Sequence, residues 1–566
     1  MTVNHPVDFS KTLFEKLAQN ALGALDVLAQ NMGAHDDEPM LERLRRGEHP
    51  MPHSFVAEDN SFREDGALRL INFDESIAKI EDAVQRLKKS RDRFQRSLNM
   101  ATSLLAPVWR LPEDILAEIF SLYIQEQGEY SFNLKLSSPS SSWKPTPCIR
   151  SSTLHLSQIC SFWRRIIFGR PLLWSSLWFN LDALNDSFGP ELPGILSVLS
   201  DYLSRSGSVP LKLGMSQAYV SGNNPNRDYV FELLLRHAMR WESLSLTLRS
   251  NRSVSYFLSQ FQSGGQLHVM SRMKHLVLDS GLECVAILIQ SSNLRTLDAS
   301  HLNLSWSNFR QCDFSSLKEL KVFRLGGAPV GRFLYYMPAL ERLEIKSLTS
   351  GSSSTELESR SPLGPSNLRH LTIGLEDNCP AATWKSLCVP HLTSLRIYSG
   401  KYSKGSVEAI STSLCQSNTV LRELEATFDD EVMSLICSHP SLNELTLRYN
   451  ENSEEGALSL EDMLSRLTIS KDPETTVLGP NLYHLAVNIL KPIPSSFKPL
   501  PLARNISEMV KSRASVRDLP PGVSTLQSFS LQMPYGCMAR IRVGEISTLL
   551  APLVASGLQL QLSQLS

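Results

Sequence analysis

The sequence predicts an α/β solenoid built on a parallel sheet, preceded by a helical N-terminal region. A pattern of alternating leucines recurs through the C-terminal half of the chain, and before it apolar residues return every three or four positions. The first pattern is typical of stacked strands and the second of amphipathic helices. At 566 residues the chain also exceeds one ordinary core, which favours several domains or a repeating architecture.

Residues 1–70 predict one amphipathic helix followed by a flexible linker. Between 10 and 31 the apolar side chains fall roughly on one side, at Phe14, Leu17, Ala21, Leu25 and Leu28. From 32 to 70 the periodicity is lost and prolines interrupt the chain, at Pro39, Pro50 and Pro52.

Residues 71–105 predict a coiled-coil-like helix. Its seam steps alternately three and four residues through Ile77, Ile80, Val84, Leu87, Phe94, Leu98, Ala101 and Leu105. One position of the seam, Arg91, is charged. The pattern fits a dimerisation stalk. The short seam with Arg91 in it favours the alternative, a helix that packs on other helices of the same chain.

Residues 106–179 begin with a short helix that has a sharp start. Pro112 suits the first helical position, and Glu113 and Asp114 place negative charge at the positive end of the helix dipole. The apolar stripe that follows contains Ile115, Leu116, Ile119 and Phe120. Because so short a helix cannot bury this stripe on itself, a neighbouring element or another protein must cover it.

A segment rich in serine and proline, 126–153, then predicts a flexible insertion. The second helix of this region follows it, with a stripe at Leu156, Ile159, Trp163, Ile166 and Ile167. The helix is predicted to end at Gly169, and Pro171-Leu-Leu-Trp174 comes directly after it.

The order of these three motifs resembles an F-box of the large family found in mushroom-type fungi, which tends to place a heptad helix just before the box. The resemblance covers about 70 residues, and the serine-rich insertion interrupts it. It implies that this region binds the small Skp-type adaptor of a cullin-RING ubiquitin ligase. The implied adaptor-binding residues are Leu111, Pro112, Ile115, Leu116, Ile119, Ile159 and Trp163, with Pro171 and Trp174 shaping the far end.

Residues 180–566 predict an irregular leucine-rich-repeat solenoid, a horseshoe with a parallel sheet. Seven consecutive units fit L-x-x-L-x-L, beginning at Leu294, Leu317, Leu340, Leu368, Leu392, Leu421 and Leu442. Further matches begin at Trp241, Met273, Leu482 and Leu526. From Met273 to Leu442 the starts lie 21 to 29 residues apart, the span expected of such repeats.

Each repeat predicts a strand and, in places, an outer helix. In Leu343-Glu344-Ile345 the alternation turns both apolar side chains to one face. Segments such as 407–414 and 432–436 predict helices on the outer side. The proline-rich stretch 491–521 predicts a long loop, and 546–565 predicts a closing helix or strand that caps the last repeat.

The polar side chains that flank the second leucine of each repeat are expected on the concave face. The substrate-binding candidates among them are Asp298, Lys321, Glu344, Arg396, Glu423, Glu425 and Glu444. Because their charge becomes acidic along the stack, a partner with a basic portion is expected near the last three.

Composition and motifs argue against several other classes of protein. A net charge of −1 gives little attraction to nucleic acid or acidic membranes. Phosphate-binding, metalloprotease and serine-hydrolase motifs are missing, so no catalytic residue, cofactor or metal is predicted. Nine scattered cysteines without a C-x-x-C pair indicate free buried thiols. Together with the lack of a signal peptide or membrane span, they predict an intracellular protein, cytoplasmic or nuclear.

Two functions remain open from the sequence. The resemblance implies a non-enzymatic substrate receptor, in which the F-box binds the Skp-type adaptor and cullin complex and the repeats bind a protein substrate not identifiable from sequence. The alternative is a leucine-rich-repeat scaffold that organises protein partners without ubiquitination.

Overall fold

The structure is a computed structural model. It describes residues 7–32, 41–42, 45–47, 55–105, 107–126, 130–137, 146–184, 192–217, 225–248, 259, 270–279, 293–306, 312–326, 328–348, 364–375, 381–384, 387–399, 405–449, 460–470, 477–490, 499–515, 519–534 and 543–564. These residues form two compact units, Met1–Leu111 and Pro112–Ser566.

The first unit is helical. It contains α1 (Val7–Met32), α2 (Phe55–Leu104) and a 3-10 turn at Pro107–Arg110. The linker that we predict over 32–70 is therefore wrong for 55–70, which belongs to α2. This stretch contains no proline and is rich in helix-forming residues, so the helix extends N-terminally beyond the heptad pattern.

The second unit combines helices with one long sheet. Its helices are α3 (Glu113–Glu126), α4 (Ser152–Ile159), α5 (Ser161–Phe168), α6 (Leu192–Arg205), α7 (Pro225–Leu235), α8 (Val330–Tyr335), α9 (Ser406–Gln416), α10 (Asp430–Ser438), α11 (Leu460–Leu467), α12 (Pro499–Ala514) and α13 (Val543–Ala555). Its strands are β1 (Phe132–Ser137), β2 (Thr146–Arg150), β3 (Ser176–Asn180), β4 (Leu211–Gln217), β5 (Trp241–Leu248), β6 (His275–Leu278), β7 (Thr296–Ser305), β8 (Glu319–Gly326), β9 (Arg342–Leu348), β10 (His370–Leu375), β11 (Ser394–Ser399), β12 (Glu423–Thr427), β13 (Glu444–Tyr449), β14 (His484–Ile489), β15 (Ser528–Met533) and β16 (Gln559–Gln564).

The strands form a single sheet in the order β2-β1-β3 and then β4 to β16 in sequence. Every neighbouring pair is parallel except β1 and β2, which form an antiparallel pair. The eleven repeat matches of the sequence coincide with β5 to β15, so the α/β solenoid-like architecture is confirmed.

The buried side of the sheet consists of the repeated leucines stacked in register. Leu343 pairs with Leu320 on one side and Leu371 on the other, and these side chains are at most 2% exposed. Between the buried Leu343 and Ile345, Glu344 lies on the opposite face and is half-buried. The alternation therefore places apolar side chains in the core and polar ones on the opposite face of the sheet.

Helices α9 and α10 confirm the outer helices predicted at 407–414 and 432–436. Each buries one apolar stripe, which includes Val407 and Ile410 in α9 and Val432 and Ile436 in α10. The Glu431 carboxylate of α10 accepts hydrogen bonds from backbone N–H groups at the start of α9, at 2.8 and 3.2 Å. A negative group at a helix N-terminus is favourable, so this contact joins neighbouring repeats.

Three asparagines make a second connection between repeats that the leucine pattern does not reveal. Asn293, Asn367 and Asn481 each precede the first leucine of a repeat. Their side-chain amides donate to the backbone carbonyls of Ser271, Pro338 and Pro440 in the preceding repeat, at 2.6 to 2.9 Å. The bonds fix the turn into each strand relative to the repeat before it.

Two of our predicted loops contain regular structure. The predicted flexible insertion at 126–153 contains β1 and β2, because Phe132 and Leu134 alternate and are buried against β3. The predicted long loop at 491–521 contains α12, whose prolines lie in its first turn, where a missing N–H costs nothing. Within these two segments, residues 127–129, 138–145, 491–498 and 516–518 lie outside the described residues.

The C-terminal segment forms both elements that we proposed as alternatives. Helix α13 packs on α12, and β16 pairs in parallel with β15 at the end of the sheet. The boundary that we expected at 179 does not separate compact units, since the helices from Pro112 onward and the whole sheet form one unit.

Candidate protein-interaction surfaces

Helix α3 presents two apolar stripes instead of the single one that the sequence predicts. Leu116, Phe120 and Ile124 face inward and are at most 5% exposed. Ile115, Ile119 and Leu122 form the neighbouring stripe and are 43 to 51% exposed. Their spacing of four and then three residues keeps them on one side of the helix. Within Pro112–Ser566, the described residues leave this second stripe uncovered.

The inward stripe of α3 packs on α4 and α5. Phe120 contacts the half-buried Trp163 with ring centroids 4.8 Å apart. Glu113 forms an ion pair with Arg165 at 2.7 Å, and Asp114 pairs with Arg170. Because these charges are exposed, the pairs add little stability. The apolar contacts therefore provide most of the energy that holds the three helices together.

The predicted adaptor-binding residues occupy different environments. Pro112, Ile115, Ile119, Ile159 and Pro171 are exposed, and Ile159 is 59% exposed. Leu111 is half-buried and ends the first compact unit. Two of the predicted residues, Leu116 and Trp174, are at most 1% exposed and cannot contact a partner directly, because both belong to the packed core.

Trp174 connects the helices to the sheet. Its indole N–H donates to the Ile167 carbonyl at 2.9 Å, and its ring packs edge-on against Tyr202 at 4.8 Å. Tyr202 also contacts Phe132 of β1, at 5.3 Å between ring centroids. Burial raises the pKa of Tyr202 to about 12, although hydrogen bonds from Ser151 and Thr153 oppose this shift. The tyrosine therefore stays neutral in the core.

Sequence reasoning missed three exposed apolar residues beside the predicted ones. Leu122 and Tyr123 of α3 are 51% and 41% exposed, and Leu172 in the turn after α5 is 67% exposed. Leu122 could have been found, because it continues the spacing of Ile115 and Ile119 by one further turn. The exposure of Leu172 depends on the buried position of Trp174 two residues later, which the sequence pattern does not specify.

On the polar face of the sheet, four of the predicted substrate-binding residues line one groove. Lys321, Glu344, Arg396 and Glu423 surround it together with Glu319, Arg342, His370, Thr372 and Ser394. They come together because β8 to β12 pair in register, which brings Lys321 beside Glu344 and Arg396 beside Glu425. Asp298 pairs in register with Lys321 but does not line the groove.

The acidic trend that we predicted along the stack is partly neutralised. Glu425 accepts a hydrogen bond from Arg448 at 2.7 Å and forms an ion pair with Arg396 at 3.3 Å. Glu423 and Glu444 lie side by side in register and have no ion-pair partner among the described residues. Of the three glutamates that we predicted at this end, Glu423 and Glu444 thus keep the negative charge expected to attract a basic segment.

Near β3 and β4, towards the other end of the sheet, lies an aromatic pair that the repeat pattern did not predict. Trp178 of β3 lies over Gly214 of β4, and a Cβ at Gly214 would come within 2.0 Å of the indole ring. Tyr130 contacts Trp178 at 5.2 Å between ring centroids. Glycine is therefore required at 214, because only a residue without a side chain leaves room for the ring.

The described residues show no arrangement typical of a metal centre or a membrane anchor. Among them, no three His, Cys, Asp or Glu side chains come together as metal ligands would. No described helix has the length and apolar character needed to cross a bilayer. Six described cysteines are free thiols. Cys415 and Cys437 are exposed and the other four are half-buried, so the expectation of buried cysteines is wrong for the exposed pair and is not met in full by the rest.

Comparison with known protein families and with curated proteins finds no match to this chain.

Proposed function

We propose that this chain is a substrate receptor of a cullin-RING ubiquitin ligase. In this proposal α3, α4 and α5 act as an F-box that binds a Skp-type adaptor, and the solenoid, as a leucine-rich-repeat domain, binds a protein substrate on its concave surface. The motif order in the sequence supports the first part. The alternating leucines and the parallel sheet support the second.

The observation that carries the proposal is the exposed apolar stripe of Ile115, Ile119 and Leu122. Exposed apolar side chains in one continuous stripe mark an interaction surface, because water contact with them is unfavourable. The stripe lies on the helix that the F-box resemblance assigns to adaptor binding. The inner stripe of the same helix is fully used by intramolecular packing, so the outer one is available.

The packing between the helices and the sheet supports the receptor role. Through Trp174, Tyr202 and Phe132 the helices share one core with the first strands. A substrate on the concave surface would then be held at a fixed position relative to the adaptor. Such a rigid connection raises the local concentration of substrate lysines at the ligase, and this is the catalytic contribution a receptor makes.

The proposal is tested by measuring the binding of the purified chain to a purified Skp-type adaptor. Ile119→Asp should weaken binding by at least ten-fold, because it places a charge in an apolar interface. Gln125→Asp is the control: it adds the same charge to another exposed position of α3, beyond the last residue of the stripe, and should change binding less than three-fold. Equal affinity of all three proteins for the adaptor would contradict the proposal.

The double substitution Leu111→Ala and Pro112→Ala tests the start of the same surface. We expect loss of adaptor co-purification without unfolding of the solenoid. If the wild-type chain binds the adaptor but no cullin co-purifies with it, the alternative is favoured: a leucine-rich-repeat scaffold that acts without ubiquitination.

A further inference from the structure

The long helix α2 exposes an apolar seam along most of its length. Seven large seam side chains are 37 to 72% exposed, namely Leu70, Ile77, Ile80, Val84, Leu87, Phe94 and Leu98. None of the side chains described between 65 and 105 is buried. Helices in water are stabilised mainly by packing of such a face, so the seam requires a cover.

We propose that two copies of this chain pair through α2 as an antiparallel coiled coil. Continued N-terminally, the alternating spacing makes Leu70, Ile77, Val84, Arg91 and Leu98 the a positions of a heptad, and Phe73, Ile80, Leu87, Phe94 and Ala101 the d positions. The stretch 70–101 is about 48 Å long at 1.5 Å per residue. Burying the seams of two chains removes on the order of 1,000 Å² from water, the size at which stable interfaces begin.

Arg91 determines the orientation. In a parallel, in-register dimer the two Arg91 side chains would face each other in the core, which places like charges together in a poorly solvated layer. In an antiparallel dimer an a residue meets a d residue. With Val84 opposite Leu87 of the second copy, Arg91 lies beside Ile80 and next to Glu81 of that copy. Its charge, which already pairs with Asp92 of the same helix at 2.8 Å, then gains a second opposite partner.

The charges beside the seam fit the same arrangement. Glu81 and Lys88 occupy e positions of the heptad. Antiparallel pairing brings each e position opposite an e position of the second copy. In this register Glu81 of each copy meets Lys88 of the other, so the dimer contains two such pairs. Neither residue has an ion-pair partner among the described residues. In contrast, two other ion pairs within α2, Glu75 with Lys79 at 3.6 Å and Asp82 with Arg86 at 3.0 Å, occupy the f and c positions on the outer side of the helix.

A parallel dimer would use different charges. It would bring Glu81 opposite Ser76 and Lys88 opposite Ala83, with no ion pair at either place. Its one complementary pair would be Arg69 with Asp74 of the second copy. In the antiparallel register Asp74 meets the neutral Gln95. Substitutions at 74 and 81 therefore distinguish the two orientations.

The test is sedimentation velocity of the full chain, over a concentration series, with charge-reversal variants. The wild-type chain should form a species of about twice 63.3 kDa. Glu81→Lys and Lys88→Glu should each weaken dimerisation by roughly ten-fold, because each replaces two attractive contacts with two repulsive ones. The double variant, and an equimolar mixture of the two single variants, should restore it. Asp74→Lys is the matched control and should change the dimerisation constant less than three-fold.

Far-UV circular dichroism should give the same helix content for every variant, since all these positions are exposed. A wild-type chain that stays monomeric throughout the series would overturn the proposal, and it would indicate that another part of the same chain covers the seam. Weakening by Asp74→Lys with no effect of Glu81→Lys would overturn the antiparallel orientation. Failure of the double variant to recover would overturn the pairing of 81 with 88.

Discussion

Trp174 and Tyr202 pack edge to face, with ring centroids 4.8 Å apart and an interplanar angle of 63°. Trp174 follows the helices α3 to α5, and Tyr202 belongs to α6, which covers the first strands of the sheet. Both side chains are at most 1% exposed. The contact therefore joins the adaptor-binding helices that we propose to the solenoid in one core.

Trp174→Ala should lower the free energy of unfolding by about 3–5 kcal/mol, because it leaves a large cavity in that core. Chemical denaturation monitored by circular dichroism measures the change. Leu172→Ala, two residues away, removes a side chain that is 67% exposed and should change stability by less than about 1 kcal/mol. Equal effects of the two substitutions would show that Trp174 does not hold the helices to the sheet.

Gly374→Ala should destabilise the middle of the sheet. A Cβ at this position would lie 1.7 Å from the Lys346 carbonyl oxygen on the neighbouring strand, and a backbone atom cannot move away at small cost. We expect a loss of about 1–3 kcal/mol in the free energy of unfolding. Gly194→Ala, in α6, meets no atom within 4 Å and should leave stability unchanged or raise it by up to about 1 kcal/mol. Thermal unfolding of both variants checks the contrast.

Glu425→Gln should cost about 1–2 kcal/mol, since it leaves Arg396 and Arg448 without their common carboxylate in a site where the Glu425 side chain is only 16% exposed. Glu444→Gln removes an exposed carboxylate without an ion-pair partner among the described residues and should be neutral. Urea denaturation at low and high salt measures both. A loss at Glu425 that disappears in high salt would mean that the pair is a solvent-exposed one.

Acid should destabilise the repeats near α10 through His439. Burial lowers the pKa of this histidine below the ordinary value of 6.5, and its side chain is 4% exposed. Because the folded chain binds the proton less tightly than the unfolded chain, the stability that His439 contributes is present above pH 6.5. It is lost as the pH falls below 6.5 towards the lowered pKa, by at most about 1.4 kcal/mol per pH unit.

The measurement is the difference in unfolding free energy between pH 7 and pH 5 for the wild-type chain and for His439→Leu. The variant should show a smaller difference. An identical pH dependence in both would assign the acid sensitivity to other groups.

The repeat strands were predictable because each uses a strict alternation that only a stacked sheet satisfies. Leu343 and Ile345 are buried and Glu344 lies between them on the other face, as the sequence indicates. The strand β1 was not predictable in this way, since it lies in a serine-rich segment and depends on Phe132 finding Phe179 and Tyr202 in the folded chain. Composition alone therefore gave the wrong result for 130–137 and 146–150.

The candidate surfaces show the same limit. Sequence spacing placed Ile115, Leu116, Ile119 and Phe120 on one stripe, whereas packing against α4 and α5 divides it into a buried and an exposed part. The groove residues Lys321 and Glu344 were identified because strand register follows from the repeat. The ion pair of Glu425 with Arg448 was not predicted from the sequence, since Arg448 lies one strand further on and four residues beyond the start of β13.

The proposed receptor function is tested most directly by capturing the full-length chain from native extract and identifying the bound proteins by mass spectrometry. We expect a Skp-type adaptor and a cullin to accompany the wild-type chain and the Gln125→Asp control, and both to be lost with Ile119→Asp. Capture of neither protein by the wild-type chain would contradict the proposed function.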